Sequence, residues 1–174
     1  MSSIATLGRW FSLALALSAV APSDAAAAGP TPAELRARKL AARRYQGGAV
    51  SLPTTAFAGG LHVCVRDIPS GITGYWRVPP KVVDVMDADL LKHLRKSEID
   101  KRLPFAAKLY LRQYVGFVHD GVRKVFINAL LVERNSPLAD EAQKAFPQSC
   151  ASVSGYWGIQ YDTQAKQFVN FAAR

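Results

Sequence analysis

A two-residue turn, Asp120-Gly121, lies between two long apolar runs, Lys108 to Val118 and Val122 to Val132. Asp-Gly between alternating apolar residues is the strongest short-range signal for a β-hairpin. A two-residue turn also fixes the register, so that His119 faces Val122 and the pairs continue from there. Both faces are apolar near the middle of the hairpin. This predicts that the hairpin lies in the centre of a sheet and not at its edge.

The same register places two carboxamides, Gln113 and Asn128, directly opposite one another on one apolar face. Opposed side chains on paired strands are close enough to hydrogen-bond, and a buried polar group without a partner costs about 1–3 kcal/mol. Two interpretations follow. The pair is either a structural clasp completed by loop backbone, or the polar floor of a pocket. Arg112, on the opposite face, is a further candidate binding residue.

The N terminus has the pattern of an export signal. Arg9 supplies a positive charge, Trp10 to Ala21 is apolar, and small residues fill Ser23 to Gly29. An apolar run of about a dozen residues fits a signal peptide and is too short to span a bilayer. We therefore expect a signal peptide over residues 1–28, no transmembrane anchor after its cleavage, and a periplasmic or extracellular protein.

The chain contains two cysteines, Cys64 and Cys150. In an oxidising compartment such a pair predicts a disulfide. In the chain-entropy model a loop of this length gives roughly 4 kcal/mol of stabilisation. The alternative is a reactive thiol at Cys64, with His62 on the same face of a strand.

The net charge is +9, and loss of the signal leaves it unchanged because Arg9 and Asp24 depart together. A net positive charge either favours anionic partners or only keeps the protein soluble. Much of the charge follows the N-cap Thr31, in a predicted helix with a thin apolar stripe at Leu35 and Leu40. This helix is either a polar spacer or a basic handle for an anionic surface. With the Gly- and Pro-rich stretch 47–60 it makes a basic helical arm and linker over residues 29–60.

Residues 61–174 are predicted to form a single α+β domain. Leu61 to Asp67 alternates as a strand does, and a helix is expected from Asp87 to Arg102, capped by Asp87 or Asp89, with a break near Ser97. The two prolines Pro79 and Pro80 predict that the chain on either side of them is not helical.

A short helix should follow the N-cap Ser136, and a second hairpin should close the chain around a turn at Asp162 to Lys166. Gly155 and Gly158 indicate a bulge or a close backbone approach in its first strand. The expected architecture is a curved antiparallel sheet packed against one or two helices.

The segments RQYVGF, KVFINAL, YWGIQYD and FVNF, with the Asp-Gly turn, resemble an uncharacterised group of small exported bacterial proteins. The resemblance covers the C-terminal part of the chain, implies an exported α+β domain and transfers no catalytic residue. A helix on a curved antiparallel sheet is also similar to cystatin-like and NTF2-like folds, which is an analogy of fold alone.

The sequence contains no GxSxG, HExxH, P-loop or GxGxxG motif, and we assign no catalytic residue, metal site or cofactor. Four aromatic residues lie at predicted strand ends, where they either form a recognition surface or close a small core: Tyr75, Trp76, Tyr156 and Trp157. The basic helix and these aromatics belong to different elements, so no nucleic-acid partner is expected.

Three functional hypotheses follow. The first is an exported, non-catalytic binding module that holds an anionic envelope component or a protein partner through the sheet face and the aromatic ends. The second is a small periplasmic hydrolase with a pocket around Gln113 and Asn128. The third is an envelope protein whose basic arm contacts acidic surface polymers.

Overall fold

A computed structural model of the chain describes residues 30–57, 70–147, 153 and 155–173. It contains a six-stranded mixed sheet with helices, which confirms the α+β class. The elements are α1 (Pro32–Arg44), β1 (Gly48–Ser51), β2 (Ile72–Trp76), α2 (Pro80–Lys96), β3 (Leu111–His119), β4 (Val122–Leu130), α3 (Pro137–Ala142), β5 (Tyr156–Asp162) and β6 (Gln167–Ala173). Short 3-10 turns lie at Thr54–Phe57, Ile99–Arg102 and Ala107–Leu109.

The central hairpin has the predicted register. Strands β3 and β4 are antiparallel, with Gln113 opposite Asn128 and His119 opposite Val122. Asp120 and Gly121 both have positive φ, 52° and 72°, as the two central residues of a type I′ turn require. The turn chemistry therefore determines which side chains of the two strands face one another.

The sheet is mixed, and the prediction of an antiparallel sheet is corrected on this point. Strand β1 pairs in parallel with Leu111 to Tyr114 of β3. Strand β2 pairs antiparallel with the other half of the same edge, from Gly116 to His119. The predicted linker over residues 47–60 therefore contributes a strand. Four residues, Gly48–Ser51, are too few to show a periodic pattern, and their partner is distant in sequence.

Helix α2 begins at Pro80, seven residues before the predicted start. Proline is well suited to the first helical position because its missing N–H is not needed there, so the two prolines start this helix. Asp87 consequently lies in the middle of α2 and does not cap it. The helix ends at Lys96, which confirms the break expected near Ser97.

Helix α2 packs against one face of the sheet. Its buried residues are Val83, Met86, Leu90 and Leu94. They share a core cluster with alternate residues of the three central strands, Tyr114, Val125, Ile127, Ala129, Trp157 and Ile159. Burial of these four α2 side chains stabilises the helix, because the stability of a helix in a protein comes chiefly from packing.

The opposite face of the sheet is also buried. Leu111, Val115 and Phe117 alternate with the α2-facing residues along β3, and they pack with side chains from the chain around α3 and after β1. Helix α3 has the predicted N-cap, where Ser136 Oγ accepts a hydrogen bond of 3.2 Å from the Ala139 N–H. Two buried faces explain why the central hairpin is apolar on both sides.

The N-terminal helix has the weak packing that the sequence predicts. Helix α1 has no buried residue, and Leu40 is 69% exposed. Its attachment lies at its C-terminal end, where Tyr45 is buried with its ring 5.2 Å from that of Phe105, and Arg44 pairs with Glu133 at 2.5 Å.

The closing hairpin is confirmed, with a register shift between Gly158 and Gln160 where β5 pairs with β6. Several predictions lie outside the described residues: the signal peptide over 1–28, the strand over 61–67, and the Cys64–Cys150 disulfide with its His62 alternative. No helix in the described part of the chain is both long enough and apolar enough to cross a bilayer.

Candidate binding groove

The two carboxamides form a buried clasp. Asn128 Nδ2 donates to Gln113 Oε1 at 2.7 Å, while Gln113 Nε2 donates to the carbonyls of Ala142 at 2.6 Å and Ala145 at 2.8 Å. Both side chains are fully buried. The clasp ties the end of α3 to the middle of the central hairpin. Asn128 Oδ1 is buried without a hydrogen-bond partner in the described structure.

Arg112 fastens helix α2 to the sheet. Its Nε and Nη2 donate to the two carboxylate oxygens of Asp87 at 2.5 and 2.9 Å. Its Nη1 donates to the carbonyls of Ala107 at 3.0 Å and Tyr110 at 2.7 Å. The residue is only 3% exposed. The guanidinium that the sequence offered as a binding residue is therefore engaged within the protein.

Tyr114 completes this buried cluster by donating from its hydroxyl to Asp87 Oδ1 at 2.8 Å. Burial, reinforced by the charge of Asp87, raises the pKa of Tyr114 far above its ordinary value. The phenol therefore stays protonated and acts as a fixed donor. Arg112, Tyr114 and Asp87 satisfy one another and have the arrangement of a structural network.

The four predicted aromatic residues do not form one surface. Trp157 is fully buried with its ring 5.9 Å from that of Tyr110, so for this residue the core alternative holds and the surface alternative does not. Tyr156 is half-buried opposite the last residue of β4. Tyr75 and Trp76 pair with the other end of the hairpin, near its turn. A tryptophan in a strand was as compatible with the core as with the surface.

A groove lies between α2 and the β5–β6 hairpin. It consists of two adjoining hollows, of about 400 Å³ and about 470 Å³, which share Asp89, Tyr161 and Phe168. We call it the α2 groove. Its apolar end is lined by Trp76, Val82, Val85 and Met86, with Lys81 and Thr163 beside them. Its basic end is lined by Lys92, His93, Lys96 and Lys166, with Gln167 beside them.

Aromatic rings lie where the two ends of the α2 groove meet. Tyr161 and Phe168 face one another across β5 and β6, with ring centroids 4.9 Å apart. The imidazole of His93 lies 5.1 Å from the Phe168 ring, which connects α2 to the hairpin. Rings packed in this way form a rigid apolar floor at a low cost in conformational entropy.

The charges of the α2 groove are predominantly positive. Asp89 pairs with Lys92 at 3.3 Å. Among the described residues, Lys96 and Lys166 belong to no ion pair. At the apolar end, the guanidinium of Arg123 lies 5.6 Å from the centre of the Trp76 ring. Of the described residues that line the two hollows, Asp89 is the one carboxylate, against four lysines.

Sequence reasoning missed this groove because its members come from β2, α2, β5 and β6. One signal was present. Val82 and Val85 lie off the buried stripe of α2, and Val85 is 66% exposed. Two exposed valines one turn apart on a helix that already has a complete buried stripe point to a second apolar surface.

No family model, no curated protein and no solved structure matches this chain. The resemblance to a group of small exported proteins therefore stays a prediction. Within the described residues, no three His, Cys, Asp or Glu side chains are grouped so as to hold a metal ion.

Proposed function

We propose that the protein is an exported, non-catalytic binding module that holds an anionic partner in the α2 groove. The observation that carries the proposal is the aromatic floor of Tyr161 and Phe168 beside two lysines, Lys96 and Lys166, that form no ion pair with any described residue. The export component rests on the signal peptide that the sequence predicts over residues 1–28.

Anion binding is supported by the charge of the groove and by its shape. An isolated lysine on a convex surface attracts an anion weakly, because water and salt screen it. Cations that line a concave site reinforce one another, since the low-dielectric walls concentrate their field. The aromatic floor adds apolar contact area, so a partner that combines an acid group with an apolar part gains from both.

A binding role suits the groove better than catalysis. Asp89 is occupied by Lys92, and His93 packs against Phe168, so neither is arranged as a nucleophile–base pair. The hydrolase alternative gains no support from the described contacts of Gln113 and Asn128. These two side chains are occupied with one another and with the carbonyls at the end of α3.

The test uses naphthalene-2-sulfonate, an aromatic monoanion, and 2-naphthalenemethanol, its uncharged counterpart. Each is titrated into the full chain while backbone amide resonances are followed by NMR. We expect the anion to shift the resonances of groove residues such as Phe168 and Lys96, and to do so less at high salt. The uncharged compound should bind more weakly.

Two variants and a matched control locate the binding. Lys96→Gln and Lys166→Gln should each lower the affinity for the anion roughly two- to fivefold, the range expected for the loss of one partly screened charge. Lys144→Gln removes the same charge from an exposed residue outside the groove and should change little. Shifts confined to α1 would instead favour the basic-arm hypothesis, and equal effects of all three variants would refute a site in the groove.

A further inference from the structure

We infer that the occupant of the α2 groove is a long-chain fatty acid, with its carboxylate at the basic end and its hydrocarbon tail at the apolar end. This inference rests on the proposed function and specifies its ligand. The observation behind it is that the lining of the groove changes in character along its length. Apolar side chains predominate at one end, and lysine ammonium groups line the other, two of which form no ion pair with any described residue.

The apolar end has the surface that a hydrocarbon tail requires. Val82 and Val85 are exposed on α2, next to Met86 and the half-buried Trp76. Covering exposed aliphatic side chains with a tail removes apolar area from water on both partners. Trp76 is held in place there, because its Nε1 donates to the Phe117 carbonyl at 3.3 Å.

The basic end has the charge that an acid head requires. Lys96 and Lys166 come from α2 and from the β5–β6 turn, so the basic end has a cation on each wall. Neither takes part in an ion pair within the described residues. A carboxylate has two oxygens and can accept from both ammonium groups, and such charge-assisted hydrogen bonds are stronger than neutral ones.

The groove is also long enough for a single chain. Val82 and Lys96 are separated along α2 by about 21 Å at the helical rise of 1.5 Å per residue, which is comparable to an extended long-chain fatty acid. The two hollows share Asp89, Tyr161 and Phe168, so a linear ligand passes over the aromatic floor without a break.

An extended peptide fits this surface less well. Its backbone N–H and C=O groups need partners, whereas those of α2 and of the paired strands are already used. In the described sheet, β6 pairs on one side only, with β5. Asn170, in the middle of β6, has a φ of 55°. That conformation interrupts the regular spacing of donors and acceptors that an added strand would need. A hydrocarbon tail makes no such demand.

The experiment is a calorimetric titration of the full chain with octanoate, dodecanoate and hexadecanoate, each kept below its micelle concentration. Dodecanol is the uncharged counterpart. We expect affinity to rise with tail length, by up to about fourfold for each added methylene that is buried. Dodecanol should bind more weakly than dodecanoate, and only the acids should lose affinity on Lys96→Gln or Lys166→Gln.

Val85→Gln tests the apolar end, and Leu40→Gln is its matched control. The two residues are almost equally exposed, 66% and 69%, both lie in helices, and Leu40 belongs to α1. Glutamine is a good helix former, so neither change should disturb the fold, which circular dichroism checks. We expect Val85→Gln to weaken the binding of hexadecanoate, whose tail is long enough to reach Val85, roughly tenfold. Leu40→Gln should leave that binding unchanged.

The possible outcomes separate the inference from the proposed function. Suppose that naphthalene-2-sulfonate binds more weakly to the two lysine variants, as predicted, but that fatty-acid affinity does not change with tail length. The inference of a fatty-acid ligand is then wrong, and the proposal of an anion-binding module is retained. Equal effects of Val85→Gln and Leu40→Gln would also overturn the inference, because the tail would then lie elsewhere. If neither the sulfonate nor the fatty acids bind, both proposals fail.

Discussion

Replacing Asp87 with alanine removes the carboxylate that neutralises Arg112 between α2 and the sheet. Two hydrogen bonds from the guanidinium and one from the Tyr114 hydroxyl end on this carboxylate. In the alanine variant the guanidinium keeps its two backbone carbonyl partners, at Ala107 and Tyr110, but it stays buried with an uncompensated charge.

The expected loss of stability follows from the burial of each partner. Removing one member of a buried ion pair costs about 3–5 kcal/mol, because the remaining charge stays desolvated. The Asp87 side chain is 16% exposed, so water can reach the vacated position, which favours the lower part of that range. The Tyr114 hydroxyl loses its acceptor, which adds about 1 kcal/mol. We therefore expect Asp87→Ala to lower the free energy of unfolding by about 4 kcal/mol, a large share of the 5–15 kcal/mol typical of domains.

Urea unfolding followed by circular dichroism measures this loss, with Asp84→Ala as the control. Asp84 is an exposed acid on the same helix, and a surface change of this kind is expected to stay within about 0.5 kcal/mol. The double variant Asp87→Leu/Arg112→Met should be more stable than Asp87→Ala, because no charge then remains buried. Equal losses for Asp87→Ala and Asp84→Ala would refute the view that this ion pair holds α2 to the sheet.

Three further predictions concern the sheet and Tyr110, the residue that precedes β3. Gly116→Ala should lower the free energy of unfolding by about 1–3 kcal/mol. The new Cβ would lie 2.5 Å from the carbonyl oxygen of Trp76, so the fluorescence of Trp76 should also change. Gly74→Ala is the control, because a Cβ there meets nothing within 4 Å, and it should be nearly neutral in the same urea titration. Gln113→Leu should lower the free energy of unfolding by at least about 3 kcal/mol, because two carbonyls at the end of α3 and the facing asparagine each lose a partner. Amide hydrogen exchange in α3 should also become faster, and unchanged exchange there would contradict the clasp. Burial raises the pKa of Tyr110 to about 12 from an ordinary value near 10, so between these pH values only the unfolded chain loses the proton. The free energy of unfolding should therefore fall as the pH rises through this window. Urea midpoints measured against pH should fall less steeply for Tyr110→Phe.

The central hairpin could be predicted because its information is local. Asp120 and Gly121 specify the turn, the turn specifies the register, and the register places Gln113 opposite Asn128. Ser136 and the proline after it specify the start of α3 in the same way. In these cases the deciding interactions lie within a few residues of one another along the chain.

The errors have non-local causes. Strand β1 is specified by its partner on β3, and nothing in Gly48–Ser51 marks it as a strand. The predicted start of α2 is seven residues too late, because proline is unfavourable inside a helix but well suited to its first position, which Pro80 occupies. The sequence predicts Asp87 or Asp89 as the cap, but both lie inside α2, and the partner of Asp87, Arg112, comes from another element.

The candidate site was the least predictable part. Trp76 was identified from the sequence, but the residues that surround it come from α2 and the closing hairpin. Lys92 and Lys96 belong to α2 and Lys166 to the β5–β6 turn, and only the fold places them beside Phe168. A surface assembled from four elements has no signature in any one of them.

The parallel pairing of β1 has a consequence for the order in which the protein assembles. The hairpin closes across two residues, whereas β1 must find β3 across about 60 residues, and the entropy of closing a loop grows with its length. Hairpins form within microseconds, so β3 and β4 should be paired before β1 arrives. Strand β1, with the loosely packed α1 before it, should therefore be the last part to dock and the first to detach. The remainder of the sheet can stay intact while the N-terminal segment opens and recloses.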